Sequence, residues 1–219
     1  MKAFILAAGY GTRMRPLTNH KPKPLLKIAA KSLLEHHLTA LADAGFQQVV
    51  INTAYLGEQI EEAIGNGSKW NLKVDYSREG EPLETGGAIE HALPILGEEP
   101  FLLVNGDVFC DFPFERLSNL KPEFAHIVLV PTPEFKQTGD FSLTPEGILS
   151  NQAPLNYTYS GIGIYSAKWF LNHRHGKPFP LGPVLREQAD NAQVTAELFQ
   201  GVWHDIGTPE RLAELNQQF

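Results

Sequence analysis

The amino terminus restricts this chain more than any other segment. Ala3-Phe4-Ile5-Leu6-Ala7-Ala8 is an unbroken apolar run that opens at once into Gly9-Tyr10-Gly11-Thr12-Arg13-Met14-Arg15-Pro16. Apolar residues without alternation read as a strand covered on both faces, the situation of a strand inside a parallel α/β sheet. A glycine-rich turn at the carboxyl end of such a strand leaves backbone N–H groups free to face an anion, and open α/β sheets bind their ligands there. Two common phosphate loops do not fit. Met14 stands where a dinucleotide fingerprint needs its third glycine, and the Gly-Lys-Ser/Thr of a Walker A loop is missing. Pro16, Pro22 and Pro24 keep the segment from running into a long helix, so it is expected to stay extended around its guest. Arg13 and Lys23 then approach from its two ends. A Gly-x-Gly pair taken alone is more often only a tight turn.

Charge gives the loop its meaning. The whole chain is −7, yet Lys2, Arg13, Arg15, Lys21, Lys23, Lys27 and Lys31 make residues 1–34 a +7 segment without one acid, which leaves −14 for the rest. A solvated basic face is the plain explanation of such a run, and an anionic ligand the functional one. The acidic total argues against nucleic acid as a partner. With 42% hydrophobic and 20% charged residues the chain has an ordinary globular composition, which excludes disorder and coiled coil. A lone cysteine, Cys110, permits no internal disulfide and points to a reducing, cytoplasmic setting. The opening apolar run is too short to span a bilayer and is followed by Arg13 and Arg15, so neither a membrane partner nor a signal segment is expected.

Helix and strand signals alternate through the first half. Ser32 and Glu35 form a capping box, Leu34, Leu38 and Leu41 repeat at helical spacing, and Gly45 offers the stop. Strands are expected at 48–52, 72–76 and 101–104, with helices at 58–64 and from a Thr85 cap through Leu93. Beyond Asp111 the pattern loosens. Strands are expected at 126–130, 141–144, 158–165 and, as one stretch, 193–206, with a helix over Pro183–Ala189 and a last helix opened by Thr208 as N-cap and Pro209 as N1. This rhythm predicts an α/β fold: a mostly parallel sheet with helices on both faces, read as one domain over 1–219 with a nucleotide-binding half to about residue 111 and a sugar-binding half from 112.

The joint pattern is more specific than its parts. Leu6 to Thr18 followed by Lys21-Pro22-Lys23-Pro24-Leu25, then Asn105-Gly106-Asp107, then Trp203-His204-Asp205-Ile206-Gly207-Thr208 resembles, in order and over essentially the whole chain, the sugar-1-phosphate nucleotidylyltransferases. The resemblance implies a Rossmann-like three-layer α/β/α sandwich, the nucleotide-diphospho-sugar transferase fold. It also implies Mg²⁺-dependent transfer of a nucleotidyl group to a sugar 1-phosphate with release of pyrophosphate. Carried over by position, Gly11, Thr12, Arg13 and Lys23 hold the triphosphate, with Arg13 and Lys23 acting on the reacting phosphates, and Asp107 and Asp205 hold the metal. Gly86 and Gly87, in Gly80-Glu81-Pro82-Leu83-Glu84-Thr85-Gly86-Gly87, are assigned to the base, and Asn105, Asp140 and Gly161 to the sugar. Within the family, the resemblance of the segments around Glu81, Asn105 and Gly139-Asp140-Phe141 implies UTP and N-acetylmuramate 1-phosphate as substrates, a reaction of peptidoglycan recycling. Mannose 1-phosphate with GTP, glucose 1-phosphate with UTP or dTTP, and a noncatalytic nucleotide-sugar sensor remain alternatives. The chain ends soon after the last helix, which predicts a monofunctional enzyme, and leaves monomer and homodimer open.

One departure stands out. Many relatives carry a Glu-Lys-Pro segment whose lysine binds the sugar phosphate, whereas Leu149-Ser150-Asn151-Gln152-Ala153-Pro154 offers no cation. A second Mg²⁺ or a nearby basic residue is expected to replace it. Arg78, Lys168, Arg174 and Arg186 are unranked candidates for meeting the lactyl carboxylate of the favoured sugar. Lys23 is expected to be an exposed loop residue with little effect on stability. Cys110, His173, His175, Trp169 and Phe170 are expected to be structural or solvated rather than reactive.

Overall fold

The computed structural model describes every residue from Met1 to Phe219. The first half runs β1 (Lys2–Leu6), a small hairpin of β2 (Lys27–Ile28) and β3 (Lys31–Ser32), α1 (Leu33–Asp43), β4 (Gln48–Thr53), α2 (Gly57–Ile64), β5 (Lys73–Arg78), α3 (Glu84–Leu96), β6 (Phe101–Asn105) and β7 (Val108–Cys110). The second half adds β8 (Ala125–Pro131), a hairpin of β9 (Ser142–Leu143) and β10 (Leu149–Ser150), β11 (Tyr157–Tyr165), α4 (Ala167–Asn172), α5 (Leu181–Asp190), β12 (Val194–Leu198), β13 (Trp203–Asp205) and α6 (Pro209–Asn216).

Seven strands form one sheet in the order β12-β8-β11-β6-β1-β4-β5. Neighbours are parallel except around β11, which runs antiparallel to both β6 and β8, so the sheet is mixed and mostly parallel. Alternate side chains of each strand feed separate cores. Phe4, Leu103, Ile127 and Leu129 pack with α3, α4 and α5 on one face. Ala3, Ile5, Leu102, Val104 and Val128 pack with α1 and α2 on the other. Because both faces are covered, the inner strands carry no polar alternation, which is why the opening run could be read as a strand at all. A third, smaller core joins Met14, Leu33, Ile206, Leu212 and Leu215, fastening the amino-terminal loop to α6.

Local signals explain the ends of several elements. Ser32 Oγ accepts the Glu35 N–H at 3.2 Å and Glu35 Oε2 accepts the Ser32 N–H at 2.9 Å, the expected capping box. Lys69, then Ser32, hold the Glu35 carboxyl down at about 2. Thr208 Oγ1 caps α6 by accepting the Arg211 N–H at 3.4 Å.

Two expectations fail for physical reasons. Thr85 does not cap α3. The helix begins one residue earlier, and the Leu83 N–H goes to the Glu79 carboxylate at 3.0 Å. The same helix passes Pro94 to reach Leu96, since a proline in the last turn removes only one N–H. The stretch 193–206 is two strands, not one. Phe199 packs edge-on against Phe112 at 5.1 Å, and the Val202 N–H donates to Asp111 Oδ1 at 2.8 Å. These contacts turn the chain out of the large sheet, where it ends as β12, and onto β7, where it resumes as β13.

Candidate active site

The strands β1, β4, β5 and β6 end along one edge, and the site is built there. After β1, Gly11 takes a left-handed conformation (φ 60°), its carbonyl accepts Thr18 Oγ1 at 2.8 Å and the Met14 N–H at 2.9 Å, and Thr12–Met14 makes one 3-10 turn. A side chain on Gly11 would meet Thr18 Cγ2 at 3.0 Å and Lys23 Cβ at 3.3 Å, so glycine is required by both conformation and space. Met14 is buried beneath the turn, while Thr12 and Arg13 stay exposed above it. Gly9, Gly11, Thr12, Arg13 and Lys23 line a cleft of about 360 Å³.

The turn after β6 crosses the end of β1. Gly106 donates its N–H to the Leu6 carbonyl at 2.9 Å, and a Cβ there would fall 2.5 Å from that oxygen, so Asn105 and Asp107 can flank the crossing only because a glycine separates them. Both project into the cleft. Lys23 Nζ lies 2.6 Å from Asp107 Oδ2, and only 10% of the lysine side chain is exposed against 32% of the aspartate. The expectation of a solvated loop lysine is therefore corrected: Pro22 and Pro24 direct Lys23 inward, where it meets Asp107.

Asp205 reaches the same place from the other half. β13 pairs antiparallel with β7, and the Ile206 N–H donates to the Asp107 carbonyl at 3.0 Å, which brings the two aspartates together. Arg211, one turn into α6, holds Asp205 Oδ2 at 2.8 Å. A Cβ on Gly207 would stand 3.0 Å from Arg211 Nη1, 3.1 Å from Asp205 Oδ2 and 3.3 Å from Arg13 Nη1, so three charged groups converge on that glycine. Each aspartate is thus matched with one cation, and the pair forms a set of hard oxygen donors at the meeting of the two halves.

A second cavity of about 440 Å³ adjoins the first, and Arg13, Asn105 and Asp107 border both. Asp140, Tyr159, Asp205 and Arg211 border the second alone. The Asp140 carboxylate accepts the Tyr159 N–H at 3.1 Å and is gripped by Lys136, whose Nζ lies 2.8 Å from each oxygen. Gly161 (φ +81°) lies in an irregularity of β11 and lets the Asn105 side chain pack where a Cβ would be, 2.6 Å from Asn105 Nδ2. Asn105, Asp140 and Gly161 therefore belong to one neighbourhood.

Other expected residues lie elsewhere. Gly86 and Gly87 do not reach the cleft; Pro82, Leu83, Glu84 and Thr85 line it instead. Both glycine N–H groups donate to the Phe179 carbonyl, at 3.0 and 3.2 Å, and a Cβ on Gly86 would strike the Phe179 ring at 2.2 Å. Their close approach is to the 174–180 loop. The four candidate cations are also outside the second cavity. Arg78 grips Glu61 at 2.7 and 2.5 Å, Arg186 donates to the Asp140 carbonyl at 3.0 Å and lies over Phe141, and Lys168 and Arg174 are solvated. His173 stacks on Trp169 and His175 on Phe179, and burial pushes the Cys110 thiol up to about 11.

Several site residues escaped sequence reasoning. Asn52 accepts the Ala7 N–H at 2.5 Å and donates to Glu79 at 2.7 Å, tying the ends of β1, β4 and β5 to the start of α3 along the cleft wall. Burial raises the Glu79 carboxyl despite its bonds to Asn52 and Leu83. His37 of α1 is buried under the Asn105–Val108 turn, and burial pushes its imidazole down to about 4, so it is neutral at pH 7. Lys136 and Arg211 complete the set. None stands in a local motif, and only their positions at strand ends would have pointed to them.

A three-layer sandwich with a glycine loop, a buried lysine and two aspartates at the carboxyl edge of its sheet defines a class that handles phosphates. Residues 2–139 match the family described as Nucleotidyl transferase, and the chain belongs to that family. It is 45% identical, over 98% of its length and 96% of the relative, to N-acetylmuramate alpha-1-phosphate uridylyltransferase of Neisseria meningitidis serogroup B. It is 35% identical over 95% of its length to the mannose-1-phosphate guanylyltransferase catalytic subunit beta of Drosophila melanogaster, of which it spans 60%. Among solved structures, HddC of Yersinia pseudotuberculosis superposes with a TM-score of 0.83 at 26% identity, covering 100% of this chain and 99% of that one. No helix is long and apolar enough to cross a membrane.

Proposed function

We propose that the chain transfers a uridylyl group from UTP to N-acetylmuramate 1-phosphate, in the cytoplasm, as a step of peptidoglycan recycling. One observation carries the reading: Arg13, Asn105 and Asp107 border two adjoining cavities at once, so a triphosphate in the first and a sugar phosphate in the second would meet across them. A sugar-phosphate oxygen attacks the α-phosphorus, the bond to the β-phosphate oxygen breaks, and pyrophosphate leaves. Joining two polyanions needs alignment and positive charge more than covalent help. Arg13 and the loop N–H groups of Gly11 and Thr12 orient the triphosphate. Lys23 exchanges part of its hold on Asp107 for the α-phosphate and stabilises the charge that grows there. Arg211 lies beside Asp205 and Arg13, which suits it to the role of the missing Glu-Lys-Pro lysine toward the sugar phosphate. The base faces Pro82–Thr85, and the sugar faces Asn105 and Asp140.

Asp107 and Asp205 suit Mg²⁺ in chemistry and number, being oxygen donors that leave room for phosphate and water ligands. When bound there, the ion neutralises phosphate charge as a Lewis acid. The amino-terminal half thus takes the nucleotide and the carboxyl-terminal half the sugar. Purified protein assayed for pyrophosphate release against UTP, GTP and dTTP, each with N-acetylmuramate, mannose and glucose 1-phosphates, tests the assignment. Highest kcat/KM is expected for UTP with N-acetylmuramate 1-phosphate, abolished by EDTA and restored by Mg²⁺. Preference for GTP with mannose 1-phosphate would assign the chain to the other branch, and saturable binding without pyrophosphate would make it a sensor.

A further inference from the structure

The second cavity has three cations on its wall, and they are not equivalent. Arg13 and Arg211 point at Gly207 beside Asp205, on the side where phosphates would meet. Lys136 is bound instead to Asp140, whose carboxylate is fixed by the Tyr159 N–H. The Lys136–Asp140 pair lies in the irregular segment between β8 and β9, with 30% and 31% of the side chains exposed, and a pair so placed adds little to stability. An ammonium has three N–H donors, and the chain satisfies Lys136 with a single carboxylate. It can therefore accept a second carboxylate without releasing the first. Next to it, Phe135 is half exposed, its ring stacked 3.4 Å beneath the Arg211 guanidinium and its remaining surface free for apolar contact.

We propose that Lys136 selects an acidic sugar: its ammonium binds a carboxylate carried on an ether substituent of the sugar ring, while Phe135 takes the apolar part of that substituent. A lactyl ether has this composition, one carboxylate and one methyl group on the same carbon. The assignment rests on the uridylyltransferase reading above and adds to it the residue that distinguishes an acidic sugar from a neutral one. Lys136 also keeps Asp140 compatible with such a ligand. Without the ammonium, the Asp140 carboxylate would face the lactyl carboxylate with nothing between them.

N-acetylmuramate 1-phosphate and N-acetylglucosamine 1-phosphate differ only by the lactyl ether, so the ratio of their kcat/KM values, measured with UTP on one preparation, isolates that group and cancels any loss of folded protein. Lys136→Met should lower the acidic-to-neutral ratio by about 10- to 100-fold, the range for a charge-assisted hydrogen bond lost, mainly through KM for the acidic sugar. Lys136→Arg should keep the ratio near that of the wild type. Arg211→Met should weaken both substrates alike. A ratio that moves less than about threefold in Lys136→Met, equivalent to well under 1 kcal/mol, overturns the proposal. So does a ratio that collapses in Arg211→Met instead. Should the wild-type chain fail to use N-acetylmuramate 1-phosphate at all, the uridylyltransferase reading itself falls and takes this assignment with it. That result is seen before any variant is made.

Discussion

Replacing Lys23 with methionine should cost the protein stability as well as activity. The ammonium lies 2.6 Å from Asp107 Oδ2, in a pair of which 10% and 32% of the side chains are exposed. Exposed pairs contribute about 0–1 kcal/mol, and removing one partner of a buried pair costs about 3–5 kcal/mol; an aspartate 32% open to solvent places this pair between, at about 2 kcal/mol. For a chain of this length that corresponds to a fall in Tm of about 4–8 °C. Most of the loss comes from the stranded carboxylate, so Asp107→Asn added to Lys23→Met should recover part of it and give a coupling energy of about 1–2 kcal/mol. Thermal and urea unfolding of wild type, both single variants and the double variant at pH 7 measures this, and single-turnover kinetics on the same four proteins should show the chemical step impaired in every variant. If Lys23→Met melts within about 1 °C of wild type and the cycle is additive, the pair is a surface contact and the reasoning from its burial is wrong.

Gly161→Ala should destabilise the protein by about 2–4 kcal/mol, combining a left-handed φ with a Cβ 2.6 Å from the Asn105 amide, and should raise KM for the sugar phosphate; unchanged urea unfolding would contradict it. Gly207→Ala has no such backbone penalty and meets only the movable ends of Arg211, Asp205 and Arg13, so Tm should stay within about 2 °C while kcat/KM falls at least about tenfold. Glu35 is held at about 2, below its ordinary value of 4.5, so its contribution to stability is complete above pH 4.5 and disappears as the pH falls toward 2. The stability gap between wild type and Glu35→Gln should therefore close on acidification over that interval, and a gap that is constant with pH would show that the carboxylate is not what stabilises the helix start.

What could be read from the sequence was whatever depends on near neighbours. The Ser32–Glu35 capping box and the Thr208–Pro209 helix start need only three or four residues, and they form as expected. The apolar runs of β1 and β6 are marked by burial on both faces and could be placed within a residue or two. Asp107 and Asp205 were brought together only by the family resemblance, and other contacts between residues far apart in sequence left no local mark. Lys23 was marked as a phosphate-facing residue, but not as a buried one, because its partner is 84 positions on, and Arg211 carried no local signal because Phe135 lies on another element. Gly86 and Gly87 carry a signal for close backbone approach, but a glycine does not say what approaches; here it is Phe179. Asn52 and Glu79 stand at ends of separate strands and become a network only through the sheet order.

Because Arg13, Asn105 and Asp107 form a partition common to both cavities, the two compartments cannot be retuned independently along that boundary. Under the proposed function, any replacement there to suit a new sugar would also alter the grip on the nucleotide. On the same reading, freedom to change acceptor would reside in the outlying segment that carries Phe135 and Lys136, which borders only the second compartment. An engineer seeking a different sugar nucleotide from this scaffold would graft that segment and leave the partition alone.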